Sequence, residues 1–278
     1  MFSGRNLLIA TMHGKEKVLQ PLLEQRIGVK CVVSPDINTD IFGTFSGEVS
    51  RTDSPLETLR KKCLHAMQQT GIDLAVASEG SFGSHPEIAI IPANEEWLML
   101  IDKKNQLEIT ARVISTATNF NGQYVNSYTE LQDFASSVFF PSHALNLRDE
   151  KDSLKDIVKG IRDPESLMQH FERMLRLYGR TFAETDMRAM HNPMRMDVIM
   201  AAAQKLVEKL HRSCPACGTP GFDIVRMMSG LPCALCSAPT RSAKAAVYGC
   251  VKCSFEQEVL YPDDKKTQDP MYCDYCKP

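Results

Sequence analysis

The sequence predicts an α/β protein in which helices pack on a mixed sheet, followed by a small C-terminal module built on two zinc ions as a double zinc ribbon. Three observations lead there. Short apolar runs alternate with helical stretches between Asn6 and His211. Some of the later runs follow one another without an intervening helix, which makes part of the sheet antiparallel. Eight of the ten cysteines stand in four Cys-x-x-Cys pairs between Cys214 and Cys276. We therefore place an α/β domain for catalysis or ligand binding at 1–211 and a zinc-ribbon module at 212–278.

Asn6–Ala10 reads as a buried strand, followed by the turn Thr11-Met12-His13-Gly14 and a helix to Arg26. Pro21 falls inside that helix and should kink it or mark its true start. Lys30–Val33 is a second strand. The clearest helix start follows, with Ser54 as N-cap, Pro55 in the first turn and Glu57 closing a capping box. Leu56, Leu59, Cys63 and Met67 share a face of this helix, which makes Cys63 a core residue, and Gly71 ends it. Asp73–Ser78 is a strand that opens into a loop, Glu79 to Pro86. Further strands are expected near Glu87–Ile91, Trp97–Asp102 and Glu108–Ser115. Thr129–Phe139 is a helix, His143–Leu147 a strand, and Asp163-Pro164 caps a helix to Leu177. A short strand at Thr181–Ala183 precedes the turn Glu184–Arg188, and Asn192-Pro193 begins a last long helix to His211.

Composition narrows the function classes. The 278 residues are 43% hydrophobic, enough for a sizeable core, and the net charge of −2 gives no global field that would recruit nucleic acid or an anionic membrane. No apolar run reaches membrane-spanning length, and Met1–Lys17 holds only Leu7-Leu8-Ile9-Ala10, too little for a signal-peptide core. A cytoplasmic protein with reduced thiols is expected.

Cysteine spacing is the sharpest signal. A two-residue gap lets both thiolates of a pair reach one ion, and tetrahedral zinc needs four sulfurs. Cys214, Cys217, Cys233, Cys236, Cys250, Cys253, Cys273 and Cys276 thus close two sites with no ligand left over. Gly218 after Cys217 lets backbone amides turn toward sulfur. One pairing joins Cys233/Cys236 to Cys250/Cys253 across a strand in Arg241–Tyr248 and leaves the outer two pairs to share the second ion. A sequential pairing, first with second and third with fourth, remains open beside it. The tail has too few large apolar residues to fold by burial alone.

Candidate chemistry lies where loops follow strands. In the first turn Thr11, His13 and Lys15 precede a helix N-terminus and suit an anion. In the second, Ser78 to Pro86, Glu79 and His85 are a pair suited to metal-assisted or general-base work, with Ser81 beside them. In the third, Glu184 to Arg195, Asn192 caps a helix, Arg188 and Arg195 could fork onto phosphate, and Asp186 could hold a divalent cation. Asp40, Glu48, His143 and Lys159 are weaker candidates.

These motifs resemble those of an uncharacterised bacterial family, a domain of unknown function. The matching segments are Ala10–Lys15, Ser78–Pro86, Phe140–Leu145, Glu184–Ala189 and the tail Cys214–Cys276. The chain is also similar, more faintly, to the inosine triphosphate pyrophosphatase-like fold. That family opens with a strand, Ala-Thr and a Gly-Lys entering a helix, and later binds magnesium through acidic residues after a buried strand. Thr11, Lys15, the helix Pro55–Thr70 and Glu79 stand at those positions. An Asn in the first turn is absent, the acidic pair is reduced to Glu79, and the cysteine tail is foreign to that fold. The resemblance implies a nucleotide phosphohydrolase using magnesium or manganese.

Two functions follow. In one, Lys15 with Arg188 or Arg195 neutralises the charge of a phosphate-bearing small molecule, Glu79 and Asp186 hold the cation, and His85 carries a proton. In the other, the α/β domain is a scaffold and the ribbon binds nucleic acid or protein through Arg241, Lys244, Lys252, Lys265 and Lys266.

Overall fold

The computed structural model describes residues 1–43, 49 and 53–277, so Glu48 lies outside the described residues. The chain forms two compact units, Met1–Leu206 and Val207–Pro278.

The first unit begins with β1 (Asn6–Ala10), α1 (Glu16–Ile27), β2 (Lys30–Val32) and α2 (Pro55–Thr70). It continues through β3 (Leu74–Ser84), β4 (Pro92–Asp102), β5 (Leu107–Ser115) and β6 (Gly122–Val125). Then come α3 (Tyr128–Ser137), β7 (Leu145–Arg148), β8 (Ile157–Ile161), α4 (Pro164–Tyr178), β9 (Thr181–Thr185) and α5 (Pro193–His211), which runs past Leu206.

One sheet has the order β2-β1-β3-β4-β5 and is mixed, with β1 parallel to β2 and β3 and the β3-β4-β5 meander antiparallel. Helices pack on it as the alternation predicted. A second sheet, β6-β9-β7-β8, is antiparallel throughout. Apolar periodicity gave no sign of this division, because strand spacing along a chain does not say which edges join. Ala75, Ala77, Met99 and Ile101 of the first sheet bury against Leu59, Cys63, Ala66 and Met67 of α2. The inner face of the second sheet, with Val125, Leu145, Leu147 and Ala183, buries against Leu131 and Phe134 of α3 and Leu167, Phe171 and Met174 of α4. Each Leu, Ile, Met, Val and Phe among them contributes roughly 1.5–3 kcal/mol of transfer free energy.

Local rules held where local chemistry governs. The Ser54–Glu57 capping box forms, and Gly71 ends α2 at φ 74°. Pro21 sits inside α1 without ending it. Larger departures occur where tertiary partners intervene. The strand expected to stop at Ser78 continues to Ser84, paired residue for residue with β4 from Leu74↔Asp102 to Ser84↔Pro92. Glu87–Ile91 is not a strand but the turn of this hairpin, with Ile90 at its tip 92% exposed. The short strands β6 and β8 carried no periodic signal.

The second unit holds β10 (Asp223–Ser229), β11 (Ala243–Gly249) and β12 (Glu256–Leu260) in an antiparallel sheet with β11 at its centre. Few large apolar side chains are buried among its described residues, mainly Val207, Leu210, Phe222, Leu231 and Val247.

Candidate functional site

In the second unit the four cysteine pairs form two tetrads, Cys214/Cys217 with Cys250/Cys253 and Cys233/Cys236 with Cys273/Cys276. Within each tetrad the four sulfurs lie within 4.8 Å of one another. Both pairings left open by the sequence are therefore replaced by an interleaved one. The reason is strand parity. One strand separates each pair from the next, and each antiparallel strand carries the chain to the other end of the sheet. Asp223 of β10 stands opposite Gly249 of β11, so the first and third pairs meet at one end. Ser229↔Ala243 and Ala245↔Leu260 bring the second and fourth together at the other.

Tetrahedral zinc with sulfur at about 2.3 Å requires sulfurs about 3.8 Å apart. The Sγ–Sγ separations are 3.6 Å for Cys214–Cys253 and Cys217–Cys250, 3.8 Å for Cys233–Cys276 and 3.7 Å for Cys236–Cys273. Backbone amides of Leu235 and Lys252 donate to Cys233 Sγ and Cys250 Sγ at 3.4 and 3.3 Å, which lowers the charge on the thiolates. Gly218, Ser237 and Ser254, each following the second cysteine of a pair, are all left-handed, at φ 71°, 61° and 57°. The turn is thus a shared device of three pairs, with glycine at only one.

In the first unit the three loop segments chosen from sequence meet. The chain leaving β1 runs alongside β3, since Ala10 pairs with Ala77. This brings Lys15 to Ser78, whose Oγ accepts from Lys15 Nζ at 2.9 Å. Glu79 points to the opposite face, where it pairs with Lys62 of α2. Opposite Gly80 on β4 stands Glu96, whose Oε1 accepts from Arg195 Nε at 2.7 Å; the two side chains are 0% and 1% exposed. Arg195 Nη1 also donates to the Met187 carbonyl, and its guanidinium lies 5.2 Å from the Phe82 ring. Only glycine fits at position 80, because a Cβ there would stand 2.6 Å from Arg195 Nη2 and closer still to Glu96.

Lys15, Lys62, Glu79, Glu96 and Arg195 are all buried, and such a concentration of charge is costly unless paired. Burial lowers the Lys15 pKa to about 7, with Arg195 and Lys62 adding to the shift and Glu96 and Glu79 opposing it. The free amine ionises near 10.5, so between about 7 and 10.5 the unfolded chain carries a proton that the native one lacks, and stability rises with pH across that window. Below about 7 the penalty is fully present. Thermal unfolding of wild type and Lys15→Met, followed from pH 6.5 to 10.5, should show Lys15→Met the more stable at the acid end by roughly 4 kcal/mol and the gap closing toward the alkaline end. A gap that stays constant with pH would mean Lys15 titrates normally.

Beside this cluster lies a cavity of about 840 Å³ between the outer half of the β3–β4 hairpin and the second sheet. Phe82, Ile90, Phe120 and Phe182 give it apolar walls, and Ser81, Asn146, Arg148, Glu184, Asp186 and Arg188 add polar groups. Arg148 Nε donates to Glu184 Oε1 at 2.8 Å, and Arg188 forks onto Asp186, with Nη2 at 2.6 Å from Oδ2.

The remaining candidates fall elsewhere. His85 is at the hairpin turn, where its Nδ1 accepts from Glu87 N at 3.2 Å. Six residues of extended strand separate it from Glu79, roughly 20 Å, so the expected Glu79–His85 pair does not form. Asn192 Oδ1 accepts from Arg195 N at 2.9 Å and its amide donates to Asn119, a helix cap rather than a cavity wall. Arg195, read as a phosphate ligand, is committed to Glu96 and does not line the cavity. Thr11 is buried and donates to the Met12 carbonyl. His143 Nε2 accepts from Met194 N at 3.3 Å, capping α5, and Lys159 is exposed on β8. His13 Nε2 lies 3.2 Å from Asp40 Oδ1.

Sequence reading missed Lys62, Glu96, Asn146, Arg148 and Glu184. A signal existed for some of them. Lys62 lies three residues from buried Leu59 on the inner face of α2, and Leu145-Asn146-Leu147-Arg148 alternates with a polar face toward the cavity. Glu96 had none.

Among the described residues no helix is long and apolar enough to cross a membrane. No curated protein matches the chain. Of solved structures, protein VC0702 from Vibrio cholerae is similar at 11% identity and a TM-score of 0.32, over 74% of this chain and 94% of that one. Lipoprotein GNA1162 from Neisseria meningitidis is similar at 12% identity and a TM-score of 0.21, over 48% of this chain and 94% of that one. Likenesses of this degree carry no argument about fold or chemistry. A family profile matches residues 62–278, from Lys62 through the cavity wall to both tetrads, and the chain belongs to that family, the domain of unknown function DUF6671.

Proposed function

We propose that the first unit is a divalent-cation-dependent phosphohydrolase acting on a nucleotide-like substrate, and that the two tetrads of the second unit hold structural zinc. The observation that carries the first half is the buried cluster of Lys15, Lys62, Arg195, Glu79 and Glu96 beside a cavity with aromatic walls. Phosphoryl transfer asks a protein mainly for positioning and charge stabilisation. Phe82, Phe120 and Phe182 suit a flat base, and Arg188 on the same wall suits a phosphate. Lys15 would gain its proton as an anion arrives.

Asp186, on the cavity wall, would hold magnesium or manganese, which commonly takes one or two carboxylates and completes its shell with water and substrate oxygens. Glu79, the other carboxylate expected to hold it, faces α2 on the far side of β3 and is not placed to share that ion. Arg188, now paired with Asp186, would turn to the phosphate. Glu96 Oε2 and Asn94 Oδ1, buried on one face of β4 without hydrogen-bond partners among the described residues, are further acceptors for that cation. The cytoplasm, with its reduced thiols, is the proposed compartment.

Purified protein incubated with a panel of nucleoside triphosphates and Mg²⁺ or Mn²⁺ should release phosphate or pyrophosphate. Asp186→Asn should lower that turnover by about 10²-fold or more. A wild-type protein that turns over none of them removes the reading.

A second reading has its own observation. Tyr272 and Tyr275 are 61% and 74% exposed in a segment that also carries Lys265 and Lys266. Stacking with nearby positive charge suits single-stranded nucleic acid. Binding that weakens steeply with salt and disappears on deletion of Cys214–Pro278 would favour it over a purely structural tail.

A further inference from the structure

We infer that His13 and Asp40 form a proton-accepting dyad, with His13 Nδ1 as the general base that activates the attacking water and Asp40 as the residue that positions it. The inference rests on the phosphohydrolase reading and adds to it the missing proton acceptor, a role for which His85 is too far from the charge cluster.

The tautomer follows from the partners. Asp40 as a carboxylate can only accept, so His13 Nε2, 3.2 Å from Asp40 Oδ1, carries the ring proton and donates it. Nδ1 then holds a bare lone pair. It is buried and has no hydrogen-bond partner among the described residues, which is an expensive arrangement for a nitrogen with only a structural duty. The backbone adds a second sign. His13 is left-handed at φ 68°, a conformation that a residue other than glycine adopts at some cost and that concentrates at functional sites. Gly14 follows, also left-handed, and a Cβ there would stand 3.6 Å from Met190 Cβ and 3.9 Å from Met196 Cε, so the turn lies close to the segment that runs from Arg188 into α5.

The charges acting on the ring come from every side of the site. Lys15 at the start of α1, Arg195 of α5 and Arg188 after β9 disfavour the imidazolium, as burial does first of all, while Asp186 favours it; the pKa falls to about 4. The free protein therefore holds His13 neutral at neutral pH, with its lone pair available. A bound phosphate offsets Lys15, Arg188 and Arg195, so the ring becomes more basic when substrate is present. In the step itself a water O–H bond breaks and its proton goes to His13 Nδ1, while the water oxygen forms a new bond to phosphorus. The bond from phosphorus to the leaving oxygen breaks, and that oxygen keeps the electron pair. The imidazolium, hydrogen-bonded to Asp40 through Nε2–H, then returns the proton to the leaving group or to solvent.

His13→Gly removes the base without backbone strain, since glycine accepts φ 68° freely. With the triphosphate that wild type turns over in Mg²⁺ or Mn²⁺, kcat should fall by about 10²–10⁴-fold with KM changed by less than about threefold. Free imidazole should restore about tenfold or more of the lost rate, which a merely structural histidine would not show. Asp40→Asn should lower kcat by about tenfold and move the acid limb of the pH profile. Nitrogen NMR of the free wild type at neutral pH, without phosphate, should show His13 protonated at Nε2 and bare at Nδ1. Turnover by His13→Gly within about threefold of wild type, a loss that imidazole leaves untouched, or a proton on Nδ1 overturns the dyad while leaving the phosphohydrolase standing. Absence of turnover by the wild type with every triphosphate overturns the phosphohydrolase, and the base with it.

Discussion

Replacing Cys214 with serine should release one metal ion and leave the other bound. Native mass spectrometry would count the ions, and alkylation would show which thiols are exposed. Cys217, Cys250 and Cys253 should become reactive, whereas Cys233, Cys236, Cys273 and Cys276 should stay protected, because they belong to the other tetrad. The effect is large because this unit buries little apolar surface of its own, and structural zinc in small peptides contributes about 10–16 kcal/mol of folding free energy. Removal of both ions by a chelator should therefore unfold Val207–Pro278 while the first unit, with its own cores, keeps its cooperative transition. Reactivity of Cys233 and Cys236 in place of Cys250 and Cys253 would mean the pairs are sequential and the strand parity argument is wrong.

Arg195→Met should destabilise the first unit by about 3–5 kcal/mol, measured by urea unfolding. Glu96 and Arg195 are 0% and 1% exposed, so the substitution leaves a carboxylate buried without its cation. It also removes the donor to the Met187 carbonyl, which ties the turn between Asp186 and Arg188 to α5. The double variant Glu96→Leu/Arg195→Met should regain most of the loss, since removing both charges removes the desolvation penalty as well. A single substitution that lowers stability by less than about 1 kcal/mol would show that water reaches the pair.

The particular elements show how far sequence reasoning carries. Ser54, Pro55 and Glu57 announce α2 because every contact of a capping box lies within one turn of chain. The strand β3 is legible to Ser78 and not beyond, since Glu79, Gly80 and Ser81 give no apolar signal and are held by β4, Lys62 and Arg195. The same holds for the candidate residues. Lys15, Asp186 and Arg188 could be picked out as polar groups after strands, yet Asn192 and Arg195, chosen on the same grounds, are tied to structural partners that no local pattern reveals. Arg148 and Glu184 reach the cavity wall only because β7 and β9 pair with Asn146 opposite Glu184.

By itself the sequence determined that eight thiols would gather into two groups of four able to hold a metal ion, since the two-residue spacing and the need for four ligands are local facts about cysteine and tetrahedral ions. It determined the ends of α2 for the same reason, through the Ser54–Glu57 capping box and Gly71. Only the tertiary structure decided which pairs of cysteines meet, which face of β3 holds Glu79, and which cation answers Glu96. Those outcomes depend on strand pairing between residues far apart in the chain, and register and strand direction are settled by the whole sheet rather than by any segment of it.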